Sequence, residues 1–356
     1  MPLTFIPFPE IREHDRIAVV DSSHPSAYLT LSHWRGAPQL PGLHDDTSTG
    51  IVLNALAAGL PQLAEVQGVT NSHWDIDGFL GIWALLHPEA ALSHDTLLRR
   101  MAAIGDFREY EPQHPEEDLA LALVCWLNAV EQDRFYAPFD APESPAQEAK
   151  ACVPKYRYFL QAFGEVLENS QAVRSVWEPE YQRVQEDYYL MQQKGTVQDY
   201  PQIRLRVVSA PRPLHYYALF ANTSQVDMVL ALYPKGQYEL EQKYTTWVDV
   251  AHRTSFPRAD LRVLAKQLTE TETEGATWLA DSPFDTGPIM RVDAGPLSKA
   301  ERFDHPYSRP FATSSLPEGK LINQVIRWLE TQYQGIAPQV NWTWTETRAF
   351  HQSVQE

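Results

Sequence analysis

The 356-residue sequence has few cysteines and no long apolar run. Its two cysteines, Cys125 and Cys152, are too few for a disulfide framework or a thiolate metal site, so we expect a reducing compartment. The longest apolar runs, such as residues 51–60, are far shorter than the roughly 20 residues that cross a bilayer. Residues 1–15 lack the basic start and apolar stretch of a signal peptide. We therefore predict a cytoplasmic protein with no membrane partner.

Positive charge is also scarce. The sequence holds 29 Lys and Arg against 46 Asp and Glu, which gives a net charge of −17 at pH 7. A field of this sign repels phosphate polyanions, which argues against long nucleic acid as the main ligand. A small anionic molecule stays compatible with the sequence, because a bound divalent cation reverses the sign of the local field.

Several common catalytic motifs are missing from the sequence. It has no Gly-rich phosphate loop, no His-Glu-x-x-His, no Gly-x-Ser-x-Gly and no Cys-x-x-Cys. The composition is nevertheless that of a globular protein, with 44% hydrophobic and 21% charged residues. These absences exclude P-loop, zincin and serine-elbow chemistry, and they leave the acidic and histidine-rich turns as the candidates.

Strand, polar turn and helix alternate along the first hundred residues. Residues 16–20 and 64–70 have strand-like patterns, and apolar residues recur at helical spacing over 52–60 and 79–86. This alternation is typical of a parallel α/β sheet. Ligands of such sheets bind at the carboxyl ends of the strands, where the polar turns of this sequence fall.

Further helices and strands are predicted beyond residue 115. Predicted helices cover residues 116–135, 147–193, 260–268 and 318–332, and predicted strands cover residues 202–209, 216–221, 226–233 and 238–250. A proline-rich loop separates the first two helices, and residues 235–236 form a hairpin turn between the last two strands. We therefore predict an α/β protein with an N-terminal parallel-sheet domain (1–135), a helical connector (136–200) and a C-terminal α+β domain (201–356).

The unit His73-Trp-Asp75-Ile-Asp77-Gly78 carries the sharpest chemical signal. Its three candidate ligands occupy alternate positions and point the same way if the strand continues through them. Carboxylates and imidazole together suit Mn²⁺, Mg²⁺, Fe²⁺ or Zn²⁺, and two neighbouring aspartates repel each other without a cation. We expect Gly78 to allow a tight turn into the next helix. The alternative interpretation is ordinary turn and capping chemistry.

Other predicted strand and helix ends carry similar residues. Asp21 and His24 follow the strand at residues 16–20, and Asp106 ends an apolar segment, where a lone aspartate is usually part of a turn. Ser48 and Thr49 begin a helix whose backbone N–H groups could hold an anion. Simple N-capping by Asp46 or Thr47 is the alternative there.

Residues 69–78 resemble the His-x-Asp-x-Asp-Gly motif of the DHH phosphoesterase superfamily. Residues 17–25, followed by 46–52, are similar to that family's Asp-His-His segment and its next helix, and residues 102–107 are similar to its later aspartate motif. The triplet is Asp-Ser-Ser-His here, with one histidine fewer, and it precedes the first motif instead of following it. The whole chain also resembles members of an uncharacterised bacterial domain family.

The DHH resemblance implies a metal site and its ligands. The implied metal ligands are Asp21, His24, His73, Asp75, Asp77 and Asp106. The implied cofactor is one or two divalent ions, Mn²⁺ first, with Mg²⁺, Fe²⁺ and Zn²⁺ as alternatives. Such ions lower the pKa of a coordinated water and polarise an electrophilic centre, which predicts hydrolysis. We assign catalytic roles to His73 and to His24, the latter as a ligand or as a general acid or base.

Substrate binding is expected from residues around this site. The candidates are His33, Arg35, Ser48, Thr49, Arg253 and Arg258. The two last arginines would reach over from the second domain to clamp an anion, and the alternative for them is a surface salt bridge.

Three functions are compatible with these features. The first is a metal-dependent hydrolase of a small phosphoester or phosphoanhydride. The second is a metalloenzyme with a different, non-phosphoesterase reaction. The third is a non-catalytic protein of the DHH fold that binds a nucleotide or a partner protein. Each of the three functions is compatible with a homodimer.

Overall fold

The computed structural model describes residues 3–13, 15–136 and 144–353. The chain divides into two compact units. Unit 1 consists of Met1–Gln182 with Val250–His252, and unit 2 consists of Arg183–Asp249 with Arg253–Glu356. The predicted α/β class is confirmed, while the three-part division of the sequence stays a prediction. Within the described residues, no helix is long and apolar enough to cross a membrane.

Unit 1 contains a four-stranded parallel sheet. Its strands are Thr4–Phe5 (β1), Ile17–Val20 (β2), Leu29–Leu31 (β3) and Gly68–Thr70 (β4). Their order is β1-β4-β2-β3, and every neighbouring pair is parallel. All four residues of β2 are buried, as expected for a central parallel strand covered on both faces. Because the strands are parallel, their carboxyl ends meet at one edge of the sheet.

Helices make up most of the rest of unit 1. They are Ser48–Ala57 (α1), Ile76–Leu86 (α2), Pro88–Ser93 (α3), Asp95–Phe107 (α4), Glu117–Arg134 (α5), Pro145–Ala151 (α6), Val153–Glu168 (α7) and the first half of Arg174–Lys194 (α8), whose second half belongs to unit 2. Nearly all of α2 is buried, since its sequence is apolar around its whole circumference. A Cβ atom at Gly81 would lie 2.7 Å from Val20 Cγ1, so glycine there lets α2 approach β2 closely.

Several expectations for unit 1 need correction. The predicted helix at 116–135 is present as α5, but the one predicted at 147–193 is three helices, broken at Cys152 and at the 3-10 turn Ser170–Val173. Helix α4 and the three-residue strand β3 were not predicted. Of the proline-rich loop, Pro138 and Pro142 lie outside the described residues, and Pro145 begins α6.

Unit 2 is built on a six-stranded mixed sheet. Its strands are Thr196–Tyr200 (β5), Leu205–Ser209 (β6), Met228–Tyr233 (β7), Gln237–Gln242 (β8), Trp278–Ala280 (β9) and Ile289–Val292 (β10), in the order β5-β6-β7-β8-β10-β9. Its further helices are Tyr216–Leu219 (α9), Leu261–Thr271 (α10), Lys299–Phe303 (α11), Glu318–Gln332 (α12) and Trp344–Ser353 (α13). The apolar faces of α10 and α12 join one face of the sheet in a single hydrophobic core.

The predictions for unit 2 hold for α10, α12, the hairpin and the strands at 202–209 and 226–233, which are present as β6 and β7. A turn at Pro234–Gly236 joins β7 to the antiparallel β8, as predicted. The predicted strand at 216–221 is wrong, because the ring of His215 accepts the Tyr217 N–H and caps the short helix α9. The predicted strand at 238–250 ends at Gln242.

Candidate metal centre

Three chain segments bring their polar side chains to the carboxyl edge of the parallel sheet. Asp21 follows β2 directly, His33 lies two residues beyond β3, and His73 lies three residues beyond β4. In register, Val19 of β2 stands opposite Thr30 of β3 and Thr70 of β4. The strand ends therefore converge, as they do at ligand sites of parallel sheets.

Two groups of ligand atoms share Asp21. The inner group is Asp21, His33 and Asp77, and the outer group is Asp21, His73 and Asp75; the ligand atoms of each group lie within 4.8 Å of one another. Asp21 Oδ1 is 3.2 Å from His33 Nε2, and Asp21 Oδ2 is 3.2 Å from His73 Nε2. Each carboxylate oxygen of Asp21 thus faces a different group.

The N-terminus of α1 holds the carboxylate of Asp77. The Ser48 N–H donates to Asp77 Oδ2 at 2.7 Å, and the Thr49 N–H donates to Asp77 Oδ1 at 2.8 Å. First-turn N–H groups have no partner within their helix and attract a carboxylate. The expectation that these groups bind a substrate anion is corrected, because the protein's own carboxylate occupies them. Thr47 caps the helix by accepting the Gly50 N–H, in agreement with the capping alternative.

The side chain of Ser48 contacts both Asp21 and His33 of the inner group. Its hydroxyl donates to Asp21 Oδ1 at 2.7 Å and accepts the backbone N–H of His33 at 3.1 Å. Asp21 and His33 are therefore held by the same residue that helps to hold Asp77. Ser48 therefore orients three candidate ligands, and its predicted contact with substrate stays a prediction.

His33 belongs to the inner group, although its sequence position suggested substrate binding. Its Nδ1 lies 2.6 Å from the backbone oxygen of Asp46, so Nδ1 carries the donated proton and Nε2 faces the carboxylates. Its side chain is 2% exposed, which leaves little access for a substrate. Recognition of strand β3 in the sequence would have placed His33 near the sheet edge. Its three residues are too few for a recognisable strand pattern.

Asp75 serves as a helix cap and as a candidate ligand at once. Its Oδ1 accepts the Gly78 N–H at 2.7 Å and so caps α2, while its Oδ2 lies 3.0 Å from His73 Nε2. The capping and metal interpretations of this residue are therefore compatible. One carboxylate oxygen performs each role.

The sequence analysis predicted that His73, Asp75 and Asp77 point the same way because they alternate along a strand. This prediction is wrong. Strand β4 ends at Thr70, and Asp77 lies in the first turn of α2, so the ligands do not alternate along a strand. Gly78 is required for space, because a Cβ atom there would lie 2.1 Å from Asn71 Nδ2. Its backbone is helical, so no tight turn needs it.

Asp106 reaches the inner group from the last turn of α4. Its Oδ2 is 3.8 Å from His33 Nε2. The same oxygen is buried and has no hydrogen-bond partner among the residues described. A buried carboxylate oxygen without a partner is costly. Such an atom, aimed at a group of ligands, is what a cation site would contain.

The two groups differ in their access to solvent. In the inner group the side chains of His33 and Asp77 are 2% and 0% exposed. In the outer group those of His73 and Asp75 are 19% and 35% exposed. Trp34 packs its ring against His73, with the ring centroids 5.4 Å apart. A substrate would therefore meet the outer group first.

Nearby carboxylates raise the pKa values of the two imidazoles. Burial alone would lower the pKa of His33 and His73, but hydrogen bonds and charges from Asp21 and the neighbouring aspartates raise both well above the ordinary value. Burial would raise the pKa of Asp21, yet its two histidine partners lower it. Without a cation, the centre therefore carries protons on its imidazoles.

The pKa values of the remaining carboxyl groups are raised, whereas that of Asp21 is lowered. Burial and the charge of Asp21 raise the pKa of Asp77 to about 7. Burial, opposed by His33, raises the pKa of Asp106 well above its usual range. Burial also raises the pKa of Asp75. These aspartates are crowded together with too little positive charge, a condition that a bound cation would relieve.

His24 lies outside both ligand groups. Its ring packs edge-on against Phe8, with centroids 5.2 Å apart, and its Nδ1 accepts the Ser26 N–H. Asp21 has a left-handed backbone (φ 49°), so the extended conformation of β2 does not continue to His24. We therefore do not expect His24 to bind the metal or to act in catalysis.

The three predicted substrate arginines have different surroundings. Arg258, in unit 2, is 8% exposed. Its guanidinium donates to the backbone oxygens of Lys243, Pro283, Asp285 and Thr286. Arg253 is also buried, with Nη1 3.5 Å from the Ser224 oxygen. These bonds argue against a clamp on substrate, while Arg35 lies partly buried two residues beyond His33.

Comparison with known proteins identifies a family and no activity. No curated protein sequence and no solved structure matches this chain. No match supports membership of the DHH superfamily. One family model, described as "Family of unknown function (DUF6687)", matches residues 1–340. The chain therefore belongs to this family, in agreement with its resemblance to an uncharacterised domain family.

Proposed function

We propose that this protein is a metal-dependent hydrolase that acts on a small phosphoester or phosphoanhydride. The observation that carries the proposal is the position of Asp21, whose two carboxylate oxygens face two different ligand groups. A carboxylate shared in this way is suited to hold two cations next to each other. The resemblance of residues 69–78 to the DHH motif supports the same chemistry.

The donor atoms fit a hard divalent cation. The inner and outer groups offer carboxylate oxygens and imidazole nitrogens and no thiolate. Asp106 adds a buried oxygen that has no hydrogen-bond partner in the described part of the chain. This set favours Mn²⁺ or Mg²⁺, with Fe²⁺ and Zn²⁺ as alternatives. The residues present therefore fit the proposed cofactor.

The residues of the chain would prepare the site for hydrolysis. Bound divalent ions would supply an activated water and polarise the phosphoryl group. Asp21 orients both imidazoles through its two oxygens, and the N-terminus of α1 fixes Asp77. The buried inner group excludes bulk water, whereas the partly exposed outer group admits substrate.

The charge of the site explains why substrate binding would depend on metal. Without a cation, the protonated imidazoles are paired with aspartates and leave no unpaired positive charge in the two ligand groups for a phosphate. With cations bound, the same edge attracts it. We therefore propose ordered binding, in which the metal precedes a small phosphorylated substrate. His73 would contribute as a ligand of the outer group.

The test is a metal titration linked to an activity screen. Metal-free protein would be titrated with Mn²⁺ by calorimetry, and hydrolysis of bis-(p-nitrophenyl) phosphate, pyrophosphate and a nucleotide panel would be measured. Asp75→Asn should lose the outer ion and the activity. Asp118→Asn, an exposed aspartate of α5, is the matched control and should lose neither.

Three outcomes are informative. Binding of one or two equivalents of Mn²⁺ together with hydrolysis supports the proposal. Binding without hydrolysis of any substrate rejects the phosphoesterase reaction in favour of another metalloenzyme. No binding in the wild-type protein rejects the metal centre altogether.

A further inference from the structure

Asp46 makes one contact through its backbone oxygen and two through its side chain. Its backbone oxygen lies 2.6 Å from His33 Nδ1. Its side-chain Oδ1 accepts the backbone N–H groups of Ala251 and His252, at 2.6 and 2.8 Å. The short segment Val250–His252 belongs to unit 1, although its sequence neighbours belong to unit 2. Asp46 therefore joins this segment to an imidazole of the inner group.

These contacts matter because Asp46 lies in a loop. Residues 43–47 precede α1 and form neither helix nor strand. A loop carbonyl can fix the orientation of an imidazole only if the loop itself is held in place. Bonds from two N–H groups to one carboxylate oxygen are charge-assisted and short, so they are suited to hold it.

We propose that Asp46 is a positioning residue of the metal centre, held by Val250–His252. Its carbonyl keeps the proton of His33 on Nδ1, which leaves Nε2 directed at Asp21 and Asp77. Partners that orient a metal-binding histidine in this way commonly contribute 10- to 100-fold to metal affinity. The metal-affinity part of this inference rests on the proposed function, whereas the contact between Asp46 and His33 does not.

Variants on both sides of the contact test the inference. Asp46→Ala removes the acceptor, and Ala251→Pro removes one donor without changing Asp46. Each should weaken Mn²⁺ binding by about 10- to 100-fold, and the double variant should be no weaker than the stronger single one. Asp46→Asn keeps an acceptor oxygen and should recover most of the affinity. Asp118→Asn should match the wild type.

A second measurement does not require metal. Exchange of the His33 Nδ1 proton with water would be followed by ¹⁵N-edited NMR in metal-free protein. We expect slow exchange in the wild type and in Asp46→Asn, and at least about tenfold faster exchange in Asp46→Ala and Ala251→Pro. Denaturant unfolding in EDTA identifies any variant that is merely less stable, and Asp46→Ala alone decides the outcome if Ala251→Pro does not fold.

The outcomes separate this inference from the proposed function. If the wild type binds no Mn²⁺ but Asp46→Ala accelerates proton exchange, the proposed function fails and the role of Asp46 in positioning His33 holds. If the wild type binds Mn²⁺ and Asp46→Ala changes neither affinity nor exchange, the positioning role is overturned.

Discussion

Each unit of this protein buries a cluster of charged side chains, and the two clusters are balanced differently. In unit 2, Arg309 is fully buried between two glutamates of β8, with Nη1 2.9 Å from Glu239 Oε2 and 3.2 Å from Glu241 Oε2. A guanidinium keeps its charge at every accessible pH. The carboxylates of unit 2 therefore have a permanent counter-charge supplied by the protein.

In the cluster of unit 1, two imidazoles supply the counter-charge. Its members are Asp21, Asp75, Asp77, Asp106, His33 and His73. The cations that most affect the pKa of these aspartates are the two imidazoles, which lose their charge when they are deprotonated. The comparison teaches that a buried acidic cluster balanced by arginine can be purely structural. One balanced by titratable imidazoles depends on protons or on a metal ion.

The largest effect is expected from removal of the counter-charge in unit 2. Arg309→Met removes the buried guanidinium that pairs with Glu239 and Glu241, which should lower the free energy of unfolding by about 3–5 kcal/mol. Arg262→Met breaks an exposed ion pair with Asp260 and should cost less than about 1 kcal/mol. Denaturant unfolding of both variants is the measurement. Equal losses would contradict the idea that Arg309 balances the cluster.

Metal should have the next largest effect, through the two ligand groups of unit 1. At a free Mn²⁺ concentration of 100 times Kd, one occupied site raises the free energy of unfolding by about 2.7 kcal/mol. Asp21→Asn removes the ligand that both groups share and should abolish this gain. Thermal or denaturant unfolding with Mn²⁺ and with EDTA measures it. A gain that survives in Asp21→Asn would show that the metal binds elsewhere.

The stability of the metal-free protein should fall as pH rises. Burial raises the pKa of Asp77 from 3.8 to about 7, so the folded state binds one proton more than the unfolded state between these values. Stability then falls by about 1.4 kcal/mol per pH unit across this window. The raised pKa of His33 and His73 acts in the same direction, since their contribution is complete below the unfolded value near 6.5 and is lost as pH rises through the folded values.

The pH measurement is unfolding across pH 5–8, with EDTA and with Mn²⁺. The bound metal displaces protons, so metal affinity should rise with pH and the loss of stability should become smaller. Metal-free stability that increases between pH 5 and 7 would contradict the predicted balance of the cluster.

The smallest effect is expected at Asp106. Burial raises the pKa of Asp106 well above its usual range, so Asp106→Asn removes a carboxyl group whose ionised form is unfavourable in the folded protein. Its Oδ2 makes no hydrogen bond to any described residue that would be lost. We expect metal-free stability to rise by up to about 1 kcal/mol while Mn²⁺ binds more weakly. Parallel unfolding and calorimetry of Asp106→Asn and the control Asp118→Asn separate the two effects. A loss of metal-free stability would mean that Asp106 is balanced without metal.

Local patterns predicted much of the framework that carries the site. The apolar spacing over residues 52–60 and 79–86 predicted α1 and α2, and the β-branched run at 16–20 predicted β2. The turn residues Asp21 and Asp75 stood out because they directly follow or precede these elements. Such features depend on neighbours within a few positions of the chain, so they can be read from the sequence.

Other parts of the site could not be predicted from local patterns. Strand β3 has only three residues, so nothing in the sequence indicated that His33 would reach the sheet edge. Asp106 was expected in a turn but lies in the last turn of α4, which directs its carboxylate to the inner group. His24 has suitable chemistry, but its ring packs against Phe8 and lies outside both ligand groups.

The sequence by itself determined several helices and strands, among them β2, α1 and α2, together with the acidic motif and the residue types that suit a divalent cation. The tertiary structure decided which side chains meet. The strand order β4-β2-β3 brings together residues that are far apart in the chain, and α1 donates its first N–H groups to Asp77, which lies 28 and 29 residues away. Helical and strand periodicity is a property of adjacent residues. Convergence at a sheet edge depends on how distant strands pair.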